Sequence, residues 1–375
     1  MALVIAYPRS FSAPFAVLFI AALPFAYYPK LFPTDTQLWP LLTSLLVLAM
    51  SRQSRQLTQG DIALLLLAAG AFCSSLYRLG FSEGLLRFSY KLLAFTVLWI
   101  VVPRLQEDLL ARGMKLLIFL WFIVGASQSL LVLLGLEVDI PGRYVPGRSG
   151  VPSLAPEPSL YGLISVLALH FLLLSRQPVS PVYTLMAFAN VILSGSVLAG
   201  MMAGFLLFAF GWRGRLLAGL GLFAIALLLI TSTELPLLGR LQAVLGNLGN
   251  GQFLLSDFSI NQRLGHLFFT LWFGLPQALL MTDQSSFQEA YNAWAASGAL
   301  FYPSNSDFIL TSAGEMIFLG GIFGLLILVS LLGASYRIGG PMPLLRVIVV
   351  AFAMLTQLGI SSVFLMIYAL GSRRS

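Results

Sequence analysis

Long apolar runs, broken by short polar or Gly/Pro-rich stretches, set the pattern of this chain. They lie near 11–28, 38–50, 62–77, 89–103, 115–136, 159–174, 182–194, 196–211, 216–232, 312–333 and 344–370. A helix that crosses a bilayer takes about 20 mainly apolar residues, with roughly 17 to 25 tolerated. The pattern therefore predicts an all-α, polytopic integral membrane protein with about eleven or twelve transmembrane helices in one transmembrane domain, 1–375. Several runs are short, so their ends borrow flanking residues. The first run follows Arg9 without a small-residue cleavage site and reads as a retained anchor. The last run holds one full span or a kinked pair broken near Gly359, and the two readings put the C-terminus on opposite sides.

Composition sharpens this. Of 375 residues 58% are hydrophobic and only 9% charged, with a mean hydropathy of +0.91, whereas an ordinary soluble domain carries about 25% charged residues. The formal charge of +7 is spread in ones and twos between apolar runs. It forms no stripe for nucleic acid, which is not an expected partner. Cys73 stands alone and the histidines are two, His170 and His266, so neither a disulfide framework nor a Cys/His metal site is expected. His170, deep in the 159–174 run, reads as structural.

The scattered charges fix orientation. With the N-terminus in the cytoplasm, the inside segments carry Arg9, Arg52, Arg55, Arg104, Arg112, Lys115, Arg176, Arg213, Arg215, Arg337 and Arg346. Only Asp61, Glu107 and Asp108 oppose them there. Lys30, Arg78, Arg87, Lys91, Arg143, Arg148, Arg240 and Arg263 fall outside with the remaining carboxylates. Short basic loops stay inside, so the N-terminus is expected inside. Two outer segments then stand out: a loop over 137–158 with an Arg/Glu motif, and a large segment over 233–311.

Charged residues at the lips of these segments are the candidates for chemistry. In the first, Arg143 and Arg148 precede Glu157, which Pro156 and Pro158 flank at the start of an apolar run. Glu157 reads either as a helix cap and topology signal or as a reactive carboxylate. In the second, Arg263 opens an apolar stretch with His266 one turn on, on the same face if 262–272 is helical. An unpaired charge at membrane depth costs about 2.5–3.5 kcal/mol, so it implies a partner or an anionic ligand. His266 reads as an amphipathic filler or as a base. Asn305, Asp307 and Glu315 surround the start of the 312–333 run, and the plain reading of Glu315 is pairing with an arginine from a neighbouring loop. SGSVLAG with Gly204 reads as close helix packing. Phosphate-loop, dinucleotide and HExxH motifs are absent from the sequence.

Four stretches, in order, resemble the bacterial O-antigen polymerase and ligase superfamily, in particular its exopolysaccharide polymerase branch. RSGVPSLAPEPSLYG, 148–162, is similar to an Arg-Gly then Glu-Pro-Ser motif at a helix start. SGSVLAG looks like a Ser-Gly-Ser turn, SDFSINQRLGHLFFTLWFGL like an Arg-then-Trp helix, and SNSDFILTSAGEMIFLGGIFG like the approach to a further span. One position departs: ligases of the family usually carry a His just before the Asn of the last motif, and here it is Ser304, which favours a polymerase.

The resemblance implies a GT-C-type glycosyltransferase at the periplasmic face of a bacterial inner membrane. It would join polyprenyl-pyrophosphate-linked oligosaccharides, with neither metal nor cofactor and with polyprenyl pyrophosphate as leaving group. The membrane lipid, a chain-length regulator and a flippase are the further partners of such a setting. Arg143, Arg148 and Arg263 are the expected pyrophosphate ligands, because a planar guanidinium fork binds phosphate oxygens in pairs. Glu157 is the first choice of base and His266 the second. Asn305, Asp307 and Glu315 would hold the acceptor or pair with the arginines. The competing readings are a ligase that transfers glycan to a lipid acceptor, a polytopic transporter or flippase, and a scaffold subunit.

Overall fold

A computed structural model describes residues 57–101, 107–136, 150–155, 157–175, 179–210, 258–274, 287–298, 300–304 and 309–337, with a few single positions elsewhere. All regular elements among the described residues are helical: α1 Gln59–Leu79, α2 Glu83–Val101, α3 Glu107–Leu133, α4 Pro158–Leu174, α5 Pro181–Ser194, α6 Val197–Phe210, α7 Phe258–Phe269 with a π-helical end Thr270–Gly274, α8 Phe287–Ser297 and α9 Ser312–Arg337. The runs near 11–28, 216–232 and 344–370, and most of 38–50, lie outside the described residues. The other expected runs all fall on helices.

By length and composition Gln59–Leu79, Leu110–Leu133 and Ser312–Tyr336 can cross a membrane, and α4, α5 and the start of α6 are shorter apolar helices. The protein is thus all-helical where described, in keeping with a membrane protein. The burial pattern of α1 agrees. Its buried positions include Asp61, Ser74 and Ser75, while Ile62, Leu65, Leu66 and Phe72 are exposed. Polar side chains inward and large apolar ones outward suit a lipid surround, since water would favour the reverse. A reciprocal cap starts the helix: the Thr58 hydroxyl accepts from the Asp61 N–H at 3.2 Å, and the Asp61 carboxylate accepts from the Thr58 N–H at 2.8 Å.

Two packed groups are visible. In one, α4 is buried on nearly every side against α3, α5 and α6. A polar knot ties three of these helices: Tyr161 Oη donates to Asn190 Oδ1 at 2.6 Å, while Asn190 Nδ2 donates to Ser165 Oγ at 3.1 Å and to the Ile118 carbonyl at 3.3 Å. In an apolar medium such bonds hold helices together, because the alternative is an unsatisfied polar group. His170 lies fully buried on α4. In the other group α1 packs on α2 and on α9, and α9 also meets the end of α7.

The stretch expected as one continuous span at 312–333 is broken. Gly321 takes φ 59° and ψ −144°, a backbone that only glycine adopts without strain. A regular helix would bond the Phe318 carbonyl to the N–H of residue 322. Arg78, in the last turn of α1, donates Nη1 to that carbonyl, and its guanidinium sits 5.7 Å from the centre of the Phe318 ring. A broken helix at membrane depth persists where neighbours satisfy the freed backbone groups.

Candidate functional site

Glu157 occupies the N-cap of α4, with extended backbone and Pro158 in the first turn. The prolyl φ suits that turn, and proline lacks an N–H that would be orphaned there. Although it stands at the cap, the Glu157 side chain makes no capping bond. Its Oε1 accepts instead from Ser159 Oγ and from Arg263 Nη2 at 3.1 Å. The two side chains are 25% and 14% exposed, so the pair is sheltered without being sealed. Among the described residues only Nη2 of Arg263 has a partner. That leaves other donors of its fork for a second oxyanion.

The loop before Glu157 is held firmly. Val151 N–H donates to the Leu193 carbonyl at 3.0 Å. Gln128 clasps the Ser153 backbone from both sides, accepting its N–H at 2.8 Å and donating to its carbonyl at 3.0 Å. Ser153 has φ 53°, unusual for a residue with a side chain, and its hydroxyl donates to the Trp121 carbonyl at 2.8 Å. Close approach sets Gly150 and Gly162. A Cβ at Gly150 would lie 2.2 Å from the Leu193 oxygen, and one at Gly162 would lie 2.4 Å from Ser194 Oγ. The motif around Glu157 is therefore packed directly on the Ser194-Gly195-Ser196 turn between α5 and α6.

The other two stretches meet the same region. Arg263 projects from α7, which runs from Phe258 to Phe269 and continues as a π-helical turn, earlier in start than the helix expected over 262–272. On the inward side of α7, Asn261 donates Nδ2 to the Leu300 carbonyl and accepts the Tyr302 N–H, both at 2.8 Å. Gln262 Nε2 donates to the Pro303 carbonyl at 2.6 Å. His266 Nδ1 accepts the Leu310 N–H at 3.0 Å. The four stretches quoted from the sequence are thus linked by direct contacts.

His266 has no exposed surface and lies against Phe287 and Tyr291, with ring centres 5.1 and 4.4 Å away. Burial pushes its pKa down to about 4, so the ring is neutral near pH 7. Because Nδ1 accepts the Leu310 N–H, the proton belongs on Nε2, which is buried and has no hydrogen-bond partner. In this arrangement the lone pair that could take a proton is already engaged, and the ring ties Leu310 to α7. Tyr291 donates to the Tyr302 carbonyl at 3.0 Å, and burial raises its pKa to about 12.

Glu315, in the first turn of α9, does not pair with a loop arginine. Both of its oxygens accept from Lys91 Nζ at 2.8 Å, with side chains 10% and 18% exposed. Lys91, expected among the outer loop charges, sits inside α2. The signal was present in the sequence: two opposite charges, each inside an apolar run, each in need of a partner. Sequence reasoning also passed over Gln128 and Asn190, which fix the ground around Glu157.

Ser304, where a ligase would carry His, is buried. Its N–H donates to Asn292 Oδ1 at 2.7 Å, and its carbonyl accepts from Asn292 Nδ2 at 3.1 Å. Among the described residues nothing lies within 4 Å of a Cβ built at Gly200 or Gly204. The close packing expected of that small-residue stretch is instead at Ser194 and Ala199, against Gly162. Arg143, Arg148, Asn305 and Asp307 lie outside the described residues. No protein-family model, curated protein or solved structure matches the chain.

Proposed function

We propose that this protein is a polysaccharide polymerase that joins polyprenyl-pyrophosphate-linked repeat units at the periplasmic face of a bacterial inner membrane. The observation that carries the reading is the Glu157–Arg263 pair at the lip of α4, with a carboxylate and a guanidinium fork drawn from distant stretches. The resemblance of four stretches, linked by the contacts above, supports it.

In the proposed reaction the pyrophosphate of a donor takes the free donors of Arg263, aided by Arg143 and Arg148. That exchange loosens Glu157, which accepts the proton of an acceptor sugar hydroxyl. The hydroxyl oxygen forms a bond to the anomeric carbon of the donor as the bond from that carbon to the phosphate oxygen breaks. Polyprenyl pyrophosphate departs as a stable anion, so no strong general acid is required. The Lys91–Glu315 pair is a second fixed charge pair in the other helix group and serves to hold α9 in register. Ser304 in place of His keeps polymerase ahead of ligase.

The test is a reaction of purified protein with a polyprenyl-pyrophosphate-linked repeat unit, read as a glycan ladder on a gel. Folded protein given the right repeat unit and yielding no longer product would sink the polymerase reading. Transfer of that glycan to a lipid acceptor would then identify a ligase. One observation favours a second reading: the break in α9 at Gly321 is of the kind that lines substrate sites in transporters. Uptake of the lipid-linked glycan into liposomes, without any change in glycan length, would select it.

A further inference from the structure

Along α7 the polarity is turned inside out. Asn261, Gln262, His266 and Thr270 are between 0 and 6% exposed, and the first three bond inward to the backbone of Leu300, Tyr302, Pro303 and Leu310. Thr270 Oγ1 donates to the His266 carbonyl at 2.6 Å. Arg263, the one residue in FSINQRLGHLFFTLWFG with a permanent charge, turns to Glu157. The outward face carries Phe268, Leu271, Phe273 and Trp272, the last 77% exposed. A helix bathed in water buries its apolar stripe and shows its polar one. Here the amides of Asn261 and Gln262 and the Nδ1 of His266 are satisfied internally, and Phe268, Leu271, Trp272 and Phe273 are left exposed.

Two further observations say what covers this face. The π-helical end of α7 packs on α9, which is long and apolar enough to cross a membrane, so the face continues the surface of a spanning helix. Beside it Phe268, Trp272, Trp294, Leu300 and Phe301 line a cleft of about 310 Å³ with almost no polar wall. A protein partner would be expected to find some hydrogen-bonding group on so broad a patch. Acyl chains need none, and tryptophan favours the boundary between chains and headgroups.

We propose that α7 and its π-helical end lie in one leaflet of the bilayer, apolar side down, with acyl chains filling the cleft between Trp272 and Trp294. This segment is then an interfacial element, and not a water-bathed part of the large outer segment expected from sequence. The inference rests on the chain being a membrane protein and not on the glycan chemistry.

The test places a nitroxide at Trp272→Cys, Phe268→Cys or, as a water-facing control, Glu289→Cys, each in a Cys73→Ser chain within lipid nanodiscs. Collision with oxygen is compared with collision with a water-soluble nickel chelate. The expected result is a several-fold excess of oxygen over nickel access at 268 and 272, and the reverse at 289. Equal nickel access at 272 and 289 would overturn the proposal. So would oxygen-rich collision at 272 that arises only after polyprenyl pyrophosphate is added, since the occupant would then be substrate. If labelling disturbs folding, the intact chain and Trp272→Phe are compared in bilayers of brominated lipid. Quenching of tryptophan fluorescence that is smaller in the variant supports the proposal, and identical quenching overturns it.

Discussion

Arg263 Nη2 lies 3.1 Å from Glu157 Oε1, across 106 residues of sequence. The contact brings together two groups that composition and position alone would leave as separate lip charges. It also removes the simpler role for Glu157, whose carboxylate makes no capping bond to the backbone of the helix it begins.

Glu157→Gln should reduce chain extension by about 10²–10⁴-fold, the usual contribution of a general base. Arg263→Ala should reduce it by about 10²–10³-fold, as for loss of one transition-state donor. Arg263→Lys keeps the charge and loses the fork, so its rate should fall between those of the intact protein and Arg263→Ala. Timed ladders from equal amounts of folded protein measure all three. Wild-type rates in Glu157→Gln would remove that carboxylate from the reaction.

Breaking the Lys91–Glu315 pair from one side should cost about 3–5 kcal/mol, because it strands a sheltered charge. Lys91→Met and Glu315→Leu together should restore much of that stability. Thermal unfolding of the two single variants and the double variant in detergent gives the coupling. Additive losses would mean that the pair does not act as one.

Gly150→Ala should be more damaging than Gly204→Ala. A methyl at 150 meets backbone 2.2 Å away, whereas position 204 is open among the described residues. Overpacking at the first site is expected to cost about 1–3 kcal/mol, and the loop that leads to Glu157 should shift with it. Equal melting temperatures for the two variants would contradict the packing of that loop on the α5–α6 turn.

His266 gives the structure a pH response with a definite sign. Its folded pKa, about 4, lies below the unfolded value of about 6.5. The stabilisation is therefore complete above about pH 6.5 and is lost as pH falls towards 4. By pH 5 the loss should reach about 2 kcal/mol. Melting temperature measured at pH 7.5 and pH 5 should fall for the intact chain and change less for His266→Gln. A variant with the same pH response would assign the effect to other groups.

Much of the helical layout was legible because a spanning or buried helix needs a long apolar run, and runs such as 159–174 and 182–194 have clear ends at Pro158, Pro181 and Gly195. Glu157 and Arg263 were legible as lip charges because charge is costly there. What was not legible depended on three-dimensional neighbours. Nothing local distinguishes Gly321 from Gly320 as the residue that breaks α9; the choice shows only in the backbone and in Arg78 reaching the Phe318 carbonyl. The partner of Glu315 was sought among arginines in loops because an inserted lysine looks like a helix-end charge until α2 is placed. The reversed polarity of α7 escaped notice because its sequence is as amphipathic as that of a water-facing helix; only the direction in which it turns tells them apart.

The Lys91–Glu315 bond also fixes an order of events in time. Its two halves are separated by 224 residues, and a ribosome adds roughly 5–20 residues per second. For tens of seconds after α2 has been made, Lys91 is without the carboxylate that holds it in the folded chain. The packed pair of α1 and α2 is thus made before the helix that completes it. When α9 is made, its first turn delivers Glu315, and the lysine becomes the latch that closes α9 on α2.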